Sequence, residues 1–139
     1  MWKIYAILSA VFASLTAIFS KIGVKEIDSN LATGIRTIVI LDLVWGIVFF
    51  THTYEEIKTL SFKNYFFLVV SGIATGLSWL FYFKAIQTGD LSKIAPIDKL
   101  SVVLTMVLSL IIFKEPITLP LALGGGLVVL GVIVMICFG

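Results

Sequence analysis

The chain has 139 residues, 60% of them hydrophobic and 13% charged, with a formal net charge of +2 and a mean hydropathy of +1.14. This composition excludes most soluble classes and marks a polytopic helical membrane protein, while the small, scattered basic excess excludes nucleic acid as a partner. The single cysteine, Cys137, cannot form an internal disulfide, and the lone His52 sits in a polar loop without converging ligands, so no metal site is expected.

Five apolar stretches approach the ~20 residues that cross ~30 Å of hydrocarbon at 1.5 Å per residue. They predict an all-α membrane domain over 1–139 with spans at about 4–20, 31–50, 64–84, 95–113 and 118–138. The first stretch follows Met1-Trp2-Lys3. One lysine is a weak positive region, the apolar run is long and no A-x-A site follows, so it reads as a transmembrane helix rather than a signal peptide. It carries Ser9, Ala13, Thr16 and Ser20 at three- and four-residue spacing, a stripe that lets helix backbones approach. Lys21 ends it and is expected to snorkel towards the headgroups.

The second span is interrupted by Arg36, about five residues or 7–8 Å from its start, and by Asp42, about eleven residues in and near the midplane. Each such charge costs roughly 2.5–3.5 kcal/mol on insertion scales, so it is expected to be paired and functional. Asp42 or Asp98 is available to Arg36. Asp42 itself must either meet a cation or carry a proton. The loop that follows, about 51–63, holds His52, Glu55, Glu56 and Lys58. The third span carries Gly72-Ile73-Ala74-Thr75-Gly76, a small-residue packing signal, then Trp79 and Tyr82, and ends at Lys84. The two aromatics either stack on a solute or pack against lipid and protein.

The fourth uncharged run, 100–113, has about 14 residues and would reach only about 21 Å. Starting the helix near Ala95-Pro96 supplies the missing turn, because proline suits the first helical position. That start draws Asp98 and Lys99 below the membrane surface. Asp98 would then lie in a first turn, where the macrodipole favours a carboxylate, and Lys99 could snorkel. A re-entrant segment is the alternative. The fifth span has no charge and is rich in glycine: Gly124-Gly125-Gly126, then Gly131. Gly124 and Gly131 are seven residues apart on roughly one face and are the candidates for packing against a second copy.

An odd number of spans puts loops one and three on one side with the C-terminus. Lys21, Arg36, Lys84, Asp98 and Lys99 therefore gather in one half of the bilayer, descending towards Asp42, as a water-filled vestibule among spans one to four would require. Lys3, Lys58, Lys63 and Lys114 lie on the opposite side, against Lys21, Lys25 and Lys93 plus the deeper Arg36, Lys84 and Lys99. So weak an asymmetry permits insertion in both orientations and hence an antiparallel homodimer.

Several segments carry a family likeness. They are Lys21 and Arg36, the run Gly76-Leu77-Ser78-Trp79-Leu80-Phe81-Tyr82-Phe83-Lys84-Ala85-Ile86, then Ala95-Pro96-Ile97-Asp98-Lys99-Leu100-Ser101, Phe113-Lys114-Glu115-Pro116-Ile117-Thr118 and the glycine-rich last span. On these the whole chain resembles a single EamA-type domain of the drug/metabolite transporter superfamily, especially its five-helix bacterial and archaeal group. Many relatives have Trp-Gly where this chain has Phe12-Ala13, and Gly where it has Lys114. The resemblance implies one half of a ten-helix inverted-repeat transporter, needing a homodimeric or homologous heterodimeric partner and moving a small metabolite or drug-like solute by alternating access. It also implies a multi-pass protein of a prokaryotic plasma membrane.

The expected solute or ion route comprises Arg36, Asp42, Trp79, Tyr82, Lys84, Asp98 and Lys99. The excess of cations among them favours a carboxylate or other anion. There is no P-loop, His-Glu-x-x-His motif or serine–histidine pair, so neither direct ATP drive, a cofactor nor enzymatic chemistry is expected. A non-transporting membrane subunit that pairs with a larger partner is the alternative.

Overall fold

A computed structural model describes all residues, 1–139. The protein is all-helical, with α1 Trp2–Gly23, α2 Ser29–Phe50, a 3-10 helix Thr53–Thr59, α3 Phe62–Thr88, α4 Leu91–Asp98, α5 Leu100–Phe113 and α6 Leu119–Phe138. Five stretches are long and apolar enough to cross a membrane, with α4 and α5 together forming the fourth, Leu91–Phe113. The chain divides into two compact units, Met1–Gln87 and Thr88–Gly139.

Local chemistry explains the helix ends. The Asp28 carboxylate caps α2 by accepting from the backbone N–H groups of Asn30 (2.8 Å) and Leu31 (3.2 Å). Pro120 lies in the first turn of α6, where its missing N–H costs nothing. Lys114 ends α5 in the left-handed region (φ 55°) and turns the chain towards α6.

The fourth span differs from the sequence expectation. Its helix starts at Leu91 rather than near Ala95, and Pro96 is inside α4 instead of at a first helical position. Pro96 offers no N–H to the preceding turn and its ring crowds the carbonyl four residues back, so the helix cannot continue undisturbed. The chain tightens, with Lys99 N–H donating to Pro96 O at 3.0 Å and Val102 N–H to Lys99 O at 3.0 Å, and α5 resumes at Leu100. Asp98 therefore closes one short helix immediately before the next. It is not in the first turn of a helix begun by Pro96.

In the first unit the fully buried residues cluster at one end. Thr16, Ala17, Ser20 and Val24 around the end of α1, Ser29, Ala32 and Thr33 at the start of α2, and Phe83 and Ile86 near the end of α3 are buried or half-buried. Ser9 and Ala13, the N-terminal part of the α1 stripe, stay exposed.

In the second unit α4, α5 and α6 pack together. Gly125 is the close-approach point: a Cβ there would stand 3.1 Å from Met106 Cε. Gly124 is exposed and Gly131 half-buried, and both have open space where a Cβ would be.

Candidate functional site

The polar centre of the first unit is Arg36. The early start of α2 sets it about 10 Å along the helix from Ser29, deeper than the sequence implied. Its neighbours one turn away are small: Ala32 and Thr33 are buried, and the Thr33 hydroxyl donates to Ser29 O at 2.8 Å. On α3, Trp79 and Phe83 are four residues apart and so share a face. The Arg36 guanidinium carbon lies 4.4 Å from the Trp79 ring centre and 5.3 Å from that of Phe83. Tyr82 is within electrostatic reach of the same cation. Such stacking is worth about 0.5–1 kcal/mol at exposed sites and about 2 or more when desolvated.

The cation therefore lies over two aromatic rings. Arg36 donates no hydrogen bond and forms no ion pair within the chain, although it carries five N–H donors in a planar fork. Asp42 does not serve as its partner. Six residues further along α2, it is rotated by about 240° and advanced by about 9 Å, and it is exposed.

Lys84 is exposed on α3. Asp98 and Lys99, in the second unit, pair with each other at 3.3 Å, with side-chain exposures of 41% and 57%. An exposed bridge between adjacent residues contributes little stability in water.

Two features went unread in the sequence. Phe83 is 2% exposed and forms part of the Arg36 platform, and the Trp79–Phe83 spacing was the available signal. The second is a reciprocal clamp beside it. The Lys21 ammonium donates to Ile86 O, and Gln87 Nε2 donates to Val24 O (3.2 Å) and Ile27 O (2.6 Å). Lys21 is thus a structural donor rather than only a snorkelling anchor, because Ile86 O is in the last turn of α3 and has no partner within its own helix. The clamp fixes the end of α3 that presents Trp79 and Phe83.

No group of three or more His, Cys, Asp or Glu side chains converges to hold a metal. What the Arg36 cluster can do is electrostatic: it offers a flat, oriented pair of donors to a carboxylate or phosphate, with aromatic walls beside them.

The profile of the EamA-like transporter family matches residues 1–137. A Sinorhizobium sp. protein described as an uncharacterized transporter in the cobO 3' region is 40% identical over 137 residues, covering 99% of this chain and 97% of that protein. No solved structure matches.

Proposed function

Since the chain belongs to the EamA-like transporter family and is a multi-pass membrane protein, we propose that it moves a small anionic solute across a prokaryotic plasma membrane by alternating access, with Arg36 as the residue that recognises the anion. The observation that carries this reading is the guanidinium stacked on Trp79 and Phe83 with no acceptor for its N–H groups. An arginine at that depth is costly unless an acceptor or water reaches it. A solute carboxylate would supply two acceptors in the geometry of the fork.

In the same reading 1–139 is one EamA-like domain that works as an antiparallel homodimer. Asp42, Tyr82, Lys84, Asp98 and Lys99 contribute to the solute or ion route, and Gly124 and Gly131 to the contact between copies. Asp42 favours the dimer: an exposed carboxylate near the middle of α2 is poorly suited to lipid, and a second copy would cover it.

The test is a panel of carboxylate, phosphate, cationic and neutral solutes in liposomes containing purified protein, with and without a pH gradient. Carboxylate or phosphate flux is expected, falling at least tenfold in Arg36→Lys, which keeps the charge but loses the planar fork. Undiminished flux in Arg36→Lys and Arg36→Gln would remove Arg36 from recognition. Folded dimers that move no solute would favour a non-transporting membrane subunit.

A further inference from the structure

Two contacts tie the last turns of α3 to the first turns of α2. At the outer one, the Gln87 side-chain amide donates to Val24 O at 3.2 Å and to Ile27 O at 2.6 Å. Both neighbours are carbonyl acceptors, so the amide nitrogen faces them and its two N–H donors are used. Ile27 directly precedes Asp28, whose carboxylate caps α2 through Asn30 and Leu31 N–H. Gln87 is therefore bonded one residue away from the cap that fixes the start of α2. At the inner contact, the Arg36 guanidinium carbon lies 4.4 Å from the Trp79 ring centre and 5.3 Å from that of Phe83.

The helical lengths between the two contacts agree. Arg36 follows Ser29 by seven residues, about 10 Å along α2. Phe83 and Trp79 precede Gln87 by four and eight residues, about 6 and 12 Å along α3. The two segments thus run antiparallel, and the guanidinium falls between the levels of the two rings. This match is sensitive to register. A slip of one residue along α3 would move both rings by about 1.5 Å and turn them by about 100° around the helix axis, away from the cation.

We infer that Gln87 is a positioning residue for the Arg36 site. By donating to Ile27 O it sets the register of α3 against α2, and so seats the guanidinium over Trp79 and Phe83 for an anionic solute. The seating itself needs no solute; only its consequence for recognition rests on the anionic-solute reading.

The experiment is a double-substitution cycle read by the emission of Trp79 in the full-length protein in detergent, with Trp2→Phe and Trp45→Phe leaving Trp79 as the only tryptophan. Arg36→Gln removes the charge beside the indole and should change the emission. Gln87→Leu should shift it at least halfway to the Arg36→Gln value, yet have almost no effect when Arg36→Gln is already present. Gln87→Glu, of the same shape but without N–H donors, should match Gln87→Leu and decides the matter if Gln87→Leu fails to fold. Equal changes in both backgrounds would reduce Gln87 to a structural tie and overturn the inference, as would an Arg36→Gln emission identical to that of unsubstituted Arg36. In liposomes, Gln87→Leu should raise the KM for a transported carboxylate or phosphate by roughly fivefold or more while kcat stays within about twofold. An unchanged KM would overturn the role in recognition. No flux in the protein with Gln87 intact would instead count against the anionic-solute reading, and the emission cycle would still decide whether Gln87 seats Arg36.

Discussion

Within α2, a residue expensive to insert is held by aromatic faces rather than by an acid. Arg36 lies over the Trp79 and Phe83 rings and donates no hydrogen bond within the chain. Lys114 shows the opposite relation, a residue tolerated at some cost. Its left-handed backbone crowds a Cβ that glycine would lack. Lys114→Gly is therefore expected to stabilise the fold by about 0.5–1 kcal/mol, the part of the steric relief that survives glycine's greater unfolded-chain entropy. A melting temperature raised by a few degrees in detergent would record it; a lower one would show that the lysine side chain contributes more than its backbone costs.

At the level of elements, the packed ends of α1 and α3 depend on each other. Ile86 is fully buried and Val24 is 1% exposed, while Lys21 pairs Ile86 O at the end of α3, and Gln87 pairs Val24 O at the end of α1 and Ile27 O in the loop that follows. Ile86→Ala is expected to cost about 2–4 kcal/mol through lost burial and the cavity left behind. Gln87→Leu, which removes donors at a partly exposed edge, should cost about 0.5–1.5 kcal/mol. Unfolding of the purified variants should rank them in that order, and a larger loss in Gln87→Leu would make the clamp, not the buried side chains, the principal link. The interrupted fourth span is also local: Pro96 withdraws one backbone donor inside α4, and the chain tightens at Lys99, whose N–H bonds Pro96 O, before α5 begins.

For the whole molecule, the question is what covers groups that the chain leaves open. Gly124 and Gly131 have free space around them, whereas Gly125 already meets Met106. If the first two pack against a second copy, Gly124→Leu combined with Gly131→Leu should raise the dimer dissociation constant at least tenfold and leave the helical content intact. Light scattering in detergent measures the first and circular dichroism the second. C-terminal reporter fusions should be active on both sides of the membrane, and a single orientation would exclude the antiparallel homodimer.

The sequence by itself determined the five-span helical class, because apolar length in a bilayer leaves few alternatives, and its motifs were enough to bring out the family likeness. It also singled out Arg36 and Trp79 as costly or unusual residues. Only the tertiary structure decided that they meet, that Phe83 joins them and that Asp42 stays apart, since rotation about α2 and the approach of α3 depend on contacts distant in sequence. It also decided where the fourth span begins. A proline can open a helix or interrupt one, and the turn from Leu91 to Ala95, closed by its own hydrogen bonds, resolves that choice.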